Sequence, residues 1–362
     1  MRELFYITCD SWWDTDITIL PTLINDYDVE VFCLSYHNKS LNKYPQKSVP
    51  EVIKFHDFWF ERSKKDIRTI VCSLLYGFYL GLKTRNKVTI WNLDNNIWSF
   101  FFLVLFASRK KMIISMHNYV SHTDARGFEK SIKALALKKF KYFHFHSPMQ
   151  EILFRRDFPQ KISFSTEMPV KDYGAPRGNI SYFNNSKRTF LFFGKVRDYK
   201  RPDLFIEASN ELYSCANFIL AGYSNNPQKY LSMIKTDNSI VCVFRQIENE
   251  EIPGLFANAD FLVLPYEDST QSGPLLIAYN YNLPIIASSL PYFEKMIDDG
   301  KTGFIFKQGH TKSLVDAINK AVNMSDDDYS FMKDSMRKRV EQYKKDTSFV
   351  ASLNSFLDRL NN

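Results

Sequence analysis

Short apolar runs alternate with amphipathic stretches along almost the whole chain, and this alternation restricts the fold more than any other feature. The runs of the second half are apolar on both faces and rich in aromatic or β-branched residues, as parallel strands covered by helices are. Strand–helix–strand units of this kind make right-handed crossovers and build doubly wound α/β sheets. The strands predicted in this half are Thr189–Phe193, Asn217–Ala221, Ile240–Phe244, Phe261–Leu264, Pro284–Ser288 and Gly303–Phe306.

The first half repeats the pattern with five predicted strands, and together they favour two sheets over one. These strands are Leu4–Thr8, Glu30–Leu34, Val88–Asn92, Lys111–Met116 and Lys141–His146. The helices predicted in the second half are Pro202–Tyr213, Asn249–Asn258, Gly273–Tyr281, Leu314–Asn323 and further helices from Asp326 to Leu360.

A break in the apolar pattern falls at residues 171–187, which contain two glycines, a proline and three asparagines. Such composition is typical of a linker. We therefore predict two Rossmann-like α/β domains that face each other across a cleft. The first spans residues 1–170 and the second spans 188–345, and a helix at 346–362 packs back on the first domain.

The composition excludes a disordered chain, because 45% of the 362 residues are hydrophobic and 24% are charged. A net charge of +7 does not require a nucleic-acid partner. The five cysteines are scattered and the amino terminus already resembles a strand, which favours a cytoplasmic protein without a signal peptide.

The basic residues of the first half cluster beside apolar runs. Any one cluster is explained by a solvated helix face, but together they permit a peripheral contact with anionic lipid headgroups at the inner face of a membrane. The most apolar run, Ile97–Ala107, is too short to span a bilayer. It predicts a buried helix. A helix that dips into the membrane is the alternative, because Arg109-Lys110-Lys111 follow it.

A glycine followed by four cations in seven residues predicts an anion site after the first strand of the second half. Gly194 lets a polyanion approach the backbone, and Lys195, Arg197, Lys200 and Arg201 can offset its charge. A solvated basic loop is the alternative interpretation.

A second glycine turn, Ser272-Gly273-Pro274, opens a predicted helix about eighty residues later. A helix start attracts anions through its backbone amides and its dipole. Both turns follow predicted strands at the carboxyl edge of one sheet, where open α/β sheets bind ligands. Together they predict that a diphosphate is held between them, although an ordinary helix start would give the same local sequence.

These pieces occur in the order found in nucleotide-sugar-dependent glycosyltransferases of the GT-B fold, and residues 186–325 resemble the retaining family 4. The motifs are Gly194-Lys195 with Lys200, Leu220-Ala221-Gly222, the strand from Ala259 to Tyr266, Ser272-Gly273-Pro274 and Asp299 to Phe304. The first half resembles the family loosely, through His117-Asn118 and the hinge at Pro169-Val170.

The resemblance implies a metal-independent, hexosyltransferase-like enzyme without a cofactor, whose donor is a nucleotide diphosphate sugar. It implies catalytic roles for His117, Lys195 and Lys200. The donor-binding residues that it implies are Gly194, Lys195, Arg197, Lys200, Gly222, Ile247, Thr270, Gln271, Ser272, Gly273 and Pro274.

One departure concerns two glutamates that the family usually carries eight positions apart, because Thr270 and Ala278 occupy those places. The chain looks closer to a branch that makes bacterial surface polysaccharides and lacks these carboxylates. The resemblance therefore implies transfer, with retention, to a glycan or lipid-linked glycan acceptor. The alternative is a catalytically inactive module that binds nucleotide sugar or glycan and supports a partner enzyme.

The loop after the first strand is the predicted acceptor site, because indole faces stack on sugars and carboxylates bind their hydroxyls. It contributes Asp10, Trp12 and Trp13, and Asn118 joins them. Burial of the tryptophans in the core is the alternative. An inverting enzyme would need a base, for which the candidates are Asp10, Asp14 and Asp16.

His144 and His146 alternate on a predicted strand and could in principle bind zinc. We predict structural roles for both, because no further cysteine or histidine follows at the spacing of zinc ligands.

Overall fold

The computed structural model of the chain describes residues 1–9, 12–36, 49–60, 66–93, 98–116, 119, 127–176, 182–183, 186–236 and 239–361. The chain divides into two compact units. The first consists of Met1–Pro169 with Thr347–Asn362, and the second consists of Val170–Asp346. Each unit has its own parallel sheet and its own hydrophobic packing, and the first unit has a core on each face of its sheet.

The sheet of the first unit has seven parallel strands among the described residues, in the order β3-β2-β1-β4-β5-β6-β7. Its central strands are buried along most of their length, as a sheet covered on both faces requires. The strands are β1 Arg2–Cys9, β2 Tyr27–Tyr36, β3 Lys54–Phe60, β4 Thr89–Asn92, β5 Met112–Met116, β6 Tyr142–Phe145 and β7 Ile162–Ser165.

Helices cover both faces of this sheet. Four of them share one core with it, and these are α2 Ile67–Lys83, α3 Trp98–Phe106, α4 Gly127–Lys139 and α5 Pro148–Asp157. The opposite core is built with α1 Trp13–Leu23 and α13 Phe349–Asn361. In this second core the Phe356 ring lies 4.5 Å from that of Phe164, so the carboxyl-terminal helix belongs to the first unit.

The sheet of the second unit has six parallel strands, in the order β10-β9-β8-β11-β12-β13 over the described residues. The strands are β8 Thr189–Phe193, β9 Asn217–Ala221, β10 Val241–Val243, β11 Phe261–Leu264, β12 Ile285–Ser288 and β13 Gly303–Phe306. The helices are α6 Pro202–Leu212, α7 Pro227–Leu231, α8 Ile252–Ala257, α9 Gly273–Asn280, α10 Pro291–Met296, α11 Thr311–Val322 and α12 Asp326–Asp346.

The predicted fold class is confirmed, because both units are parallel α/β sheets of the Rossmann kind. Four strands of the second unit, β8, β9, β11 and β13, have the predicted bounds. The prediction of five strands in the first half was wrong in number, since β3 and β7 were missed. The predicted helix Asn249–Asn258 is shorter, because it begins only at Ile252.

The strand order reverses beside the first strand of each sheet, between β1 and β4 and between β8 and β11. Ligands of open α/β sheets bind at such a point, outside the carboxyl ends of the strands. In the second unit this point is bounded by Gly194 after β8 and by Tyr266, two residues after β11. The fold therefore brings both glycine turns of the sequence towards one edge.

Candidate functional site

The turn after β8 is shaped by Gly194, whose φ of 109° is a conformation that L side chains rarely adopt. Its amide donates to Ala221 O at 2.9 Å, which ties the turn to the end of β9. A Cβ at Gly194 would lie 3.2 Å from Lys200 Nζ and 3.4 Å from Pro274 Cγ. Three parts of the predicted site therefore meet at this glycine.

Gly222 follows β9 and holds the first turn in place. Its φ is 152°, and a Cβ on it would lie only 1.9 Å from Gly194 O. Its amide donates to Val243 O at 3.0 Å, at the end of β10. The backbones at Gly194 and Gly222 are thus in contact, and a side chain at Gly222 would displace Gly194.

Lys200 brings a buried ammonium group to the Gly194 turn. It closes a 3-10 turn, Asp198–Lys200, and only 8% of the residue is exposed. Its Nζ also lies over the ring of Tyr266, 5.1 Å from the centroid. Burial, followed by the charges of Arg197 and Lys195, lowers the pKa of Lys200 to about 8. An anion beside Nζ would offset this unfavourable burial of positive charge.

The start of α9 lies beside the same turn. Ser272 is its N-cap, and its buried Oγ accepts from Leu275 N at 3.3 Å. Pro274 has no N–H, so the amides of Ser272 and Gly273 are those that this helix end can offer to a ligand. The positive end of the helix dipole adds to them.

Tyr266 lines the site between Lys200 and the start of α9. It is buried, its carbonyl accepts from Ser288 Oγ at 2.7 Å, and its phenol lies beside the Ser272 side chain. Burial raises the pKa of Tyr266 well above its ordinary value, so the phenol stays protonated as a donor. The hydroxyl makes no hydrogen bond of good geometry with any described residue.

Lys171 is a cation of this region that the sequence did not reveal. Its Nζ lies 3.9 Å from the position that a Cβ of Gly273 would occupy, and the residue is buried. Its amide donates to Leu276 O at 3.3 Å, so the backbone lies along α9. Lys171 is about a hundred residues from Gly273 in the sequence, and no motif or spacing connects the two.

The other three cations of the loop after β8 are not buried beside Gly194 as Lys200 is. Lys195 and Arg197 are exposed, although both charges reach Lys200. Arg201 is engaged by Asp203 at 2.6 Å and by Glu267 at 2.9 Å, and these carboxylates raise its pKa. Arg201 therefore fixes the loop.

Three other predicted donor residues are less centrally placed. Thr270 is exposed and Gln271 is half-buried, two residues and one residue before the Ser272 N-cap, respectively. Ile247 is buried in the loop after β10. None of the three has a described contact with Gly194 or Lys200, so their predicted roles rest on their place in the sequence.

The predicted site residues of the first half are placed differently. Asp10, His117 and Asn118 lie outside the described residues. Trp12 and Trp13 are each only 3% exposed, and they belong to the two opposite cores of the first unit. The prediction that they stack on an acceptor is corrected accordingly, because a sugar needs a free indole face.

Asp16, one of the three candidate bases, is completely buried in the first unit. Its carboxylate accepts from Tyr6 Oη and from Asn92 Nδ2, each at 2.8 Å, and from the Thr8 hydroxyl. Such a network leaves no access for an acceptor hydroxyl and gives Asp16 a structural role. The side chain of Asp14 is not among those described.

His144 in β6 and His146 directly after it also have structural roles. His144 is buried between Ser115 Oγ and Thr166 Oγ1, each 2.8 Å from a ring nitrogen. The His146 ring packs against His144, with centroids 4.5 Å apart. Hydroxyl groups thus flank the His144 ring, and both rings lie in the core of the first unit.

Comparison with known protein families found a similarity, and it lies in the second unit. Residues 187–324 match the family described as glycosyl transferases group 1. This segment contains every strand of the second sheet and the residues that meet at Gly194. This segment of the second unit is therefore similar in sequence to group 1 glycosyl transferases. Comparison with curated protein sequences found no match.

Solved structures of glycosyltransferases share the fold of the whole chain. A glycosyltransferase from Rickettsia africae has a TM-score of 0.71 at 12% identity, with 100% of this chain and 99% of that chain covered. Anabaena HepE in complex with UDP has a TM-score of 0.66 at 12% identity, with both chains covered completely. Staphylococcus aureus TarM, as a variant in complex with UDP and alpha-GlcNAc-glycerol among others, has a TM-score of 0.68 at 12% identity and complete coverage of both chains. The architecture is thus that of GT-B glycosyltransferases.

Proposed function

We propose that the chain is a metal-independent, retaining glycosyltransferase of the family 4 type. It transfers a sugar from a nucleotide diphosphate donor to a glycan or lipid-linked glycan, in the synthesis of a bacterial surface polysaccharide. It acts in the cytoplasm, in peripheral contact with the membrane. The donor is bound by the second unit, and Asp10, His117 and Asn118 keep their predicted roles towards acceptor and sugar.

The observation that carries this proposal is the buried Lys200 ammonium beside Gly194 and the start of α9. Lys200 keeps its charge near neutral pH. Burial of such a cation is unfavourable in free energy unless a group of opposite charge pairs with it. A diphosphate supplies two negative groups, one for Lys200 and one for the helix start with Lys171 nearby. Structures of HepE that contain UDP or UDP-glucose support a donor of this chemical class.

The proposed chemistry is the displacement of a nucleoside diphosphate at the anomeric carbon. The bond from that carbon to the β-phosphate oxygen breaks, and the acceptor oxygen forms the new bond on the same face of the sugar. The acceptor proton passes to the leaving phosphate, so no separate base is required. Negative charge grows on the leaving group, where Lys200 and the amides of Ser272 and Gly273 stabilise it.

Incubation of the protein with labelled nucleotide sugars tests this function. Hydrolysis or transfer of at least one donor supports an enzyme. Binding of donors without any turnover would favour the inactive module, for which the neutral Thr270 and Ala278 are the motivating observation. Failure of every nucleotide sugar and of UDP and GDP to bind would contradict both.

The affinity for UDP should fall as the pH rises through the pKa of Lys200. In the free protein that pKa is about 8, and a bound diphosphate favours the charged form and raises it. At pH values above about 7 the terminal phosphate of UDP is already ionised, and binding then takes up a proton at Lys200. The dissociation constant should therefore change little between about pH 7 and 8 and increase by up to about tenfold per pH unit above about 8. Calorimetry in buffers of different ionisation heats measures both effects, and Lys200→Met should abolish them. The same pH dependence in that variant would assign it to another group.

A further inference from the structure

The outer face of α2 is more apolar than the face that packs against the rest of the first unit. Among its buried residues Leu80 is the one large aliphatic side chain, and the others are Thr69, Ser73, Tyr76, Gly77 and Gly81. Its exposed large hydrophobic residues are Ile67, Val71, Leu74, Leu75, Phe78, Tyr79 and Leu82, and Arg68, Cys72 and Lys83 are exposed as well. An ordinary surface helix has the opposite arrangement. The exposed fractions of Ile67, Leu75 and Leu82 are 74%, 63% and 54%, so more than half of each residue is accessible to solvent.

The neighbouring helix α3 extends this apolar face. A Cβ on Gly77 would lie 2.7 Å from Phe102 Cβ, and one on Gly81 would lie 2.8 Å from Phe106 Cβ, so the two backbones pack closely. The exposed Phe78 and Phe106 form an edge-to-face pair at 5.3 Å between centroids. Leu105 is exposed beside them. The most apolar segment of the chain is therefore a half-buried helix whose outer side joins that of α2.

Cations surround one end of this face. Because Gly77 meets Phe102 and Gly81 meets Phe106, α2 and α3 run in the same direction and end together. Neither helix contains an acidic residue. Exposed cations follow their ends, and these are Lys83, Arg85, Arg109, Lys110 and Lys111.

The neighbouring elements add positive charge and only limited negative charge. The pKa values of Lys139 and Lys161 are lowered mainly by burial and further by the charge of Arg109. These two cations therefore lie near Arg109. The carboxylates described at this end are Glu30, 3.3 Å from Lys83, and Glu3, paired with Lys87. Arg85 and the run Arg109–Lys111 have no ion pair among the described contacts.

We propose that the outer face of α2 and α3, called here the α2–α3 face, docks the protein on a bilayer of anionic phospholipids. The inference rests on the peripheral membrane contact proposed above and names its surface and lipid class. Helix α2 is about 25 Å long, so it lies in the plane of the interface with its aliphatic and aromatic side chains among the acyl chains. The cations at the helix ends contact the headgroups.

Charge complementarity selects this occupant over a second copy of the chain. A second copy would bring the same apolar side chains together with the same cations, and like charges oppose that contact. Anionic headgroups complement both features at once. None of the described helices combines the length and the apolar character that crossing a bilayer needs.

Sedimentation of the full chain with vesicles tests the proposal. The protein should bind phosphatidylglycerol vesicles at least about tenfold more tightly than phosphatidylcholine vesicles, and high salt should weaken the binding. The combined variant Leu75→Glu, Phe78→Glu and Leu82→Glu should lose at least about tenfold in affinity, because it places charges where acyl chains would contact. Phe331→Glu is the matched control, since Phe331 is 66% exposed on α12 of the second unit and should leave binding unchanged.

UDP affinity, measured on the same samples, separates this proposal from the proposed sugar transfer. Unchanged UDP binding with lost vesicle binding in the combined variant supports the α2–α3 face as the membrane surface. The proposal is overturned if the wild type does not prefer anionic vesicles or if the combined variant binds them as the wild type does. It is also overturned if the wild type is a dimer that the combined variant dissociates and that anionic vesicles do not disrupt.

Discussion

Lys200→Met is expected to lower turnover of the donor by about 10²- to 10³-fold, because one preorganised charge on the leaving group is removed. The same change should leave the protein at least as stable as the wild type. Methionine keeps an apolar stem beside Gly194 and the Tyr266 ring, and it removes a charge that is costly to bury. Steady-state kinetics and thermal unfolding of one preparation measure both quantities.

The sign of the stability effect follows from the pKa of Lys200, which is about 8 in the folded protein and has the ordinary value of 10.5 in the unfolded chain. The unfolded chain binds this proton more tightly, so folding is penalised by up to about 3 kcal/mol below about pH 8. The penalty disappears as the pH rises from about 8 towards 10.5. The wild type should therefore gain stability relative to the variant over that range.

Lys312→Met serves as the control for Lys200→Met, because Lys312 is an exposed lysine of α11 whose ion pair with Asp316 is weak at 3.7 Å. It should change neither turnover nor the pH dependence of stability. Equal losses of turnover and stability in Lys200→Met would contradict a role towards the diphosphate and would make the residue part of the core.

Gly222→Ala is expected to remove both donor binding and much of the stability. A Cβ at this position would lie 1.9 Å from Gly194 O, so β8 and β9 must separate at their carboxyl ends. Together with a φ of 152°, this should destabilise the protein by about 3 kcal/mol or more. In the fraction that remains folded, UDP affinity should fall by at least about a hundredfold, since the Gly194 turn is displaced.

Gly303→Ala is the matched comparison for Gly222→Ala, because its φ is 157° and its Cβ would lie 1.9 Å from Ile285 O. It stands at the start of β13, at the opposite edge of the sheet from the strand ends. Its destabilisation should be similar, whereas the UDP affinity of the folded fraction should be unchanged. Loss of UDP affinity to the same degree in both variants would mean that destabilisation alone explains the effect of Gly222→Ala.

The second unit was readily predicted from the sequence because its strands are short, buried runs closed by turn residues. Thr189–Phe193 is apolar except at its first residue and is followed by a glycine with positive φ, so its length and its end are both encoded locally. The same locality allowed Gly194, Lys200 and Ser272 to be predicted as parts of one site, and the structure brings Gly194, Lys200 and the start of α9 together.

The two missed strands, β3 and β7, are the edge strands of the first sheet. Lys54–Phe60 mixes charged and aromatic residues, and Ile162–Ser165 alternates with serine, so neither shows the continuous apolar run of a central strand. Their pairing depends on the sheet beside them, which local sequence does not contain.

Tertiary packing also decided what the sequence left open for single side chains. Trp12 and Trp13 are suited equally to a sugar and to a core, and only their packing on opposite faces of the sheet distinguishes the two. Lys171 approaches Gly273 because its backbone runs along α9, a contact between segments far apart in the chain. The apolar character of the exposed side of α2 likewise becomes evident only once its buried side is known.

The central claim is that a diphosphate is held at the end of β8, between Lys200 and the start of α9. A crystal structure of the protein with UDP tests it most directly. We predict phosphate oxygens within hydrogen-bond distance of Lys200 Nζ and of the amides of Ser272 or Gly273, close to the Gly194 turn. A well-ordered UDP whose diphosphate lies away from both Lys200 and the start of α9 would contradict the account.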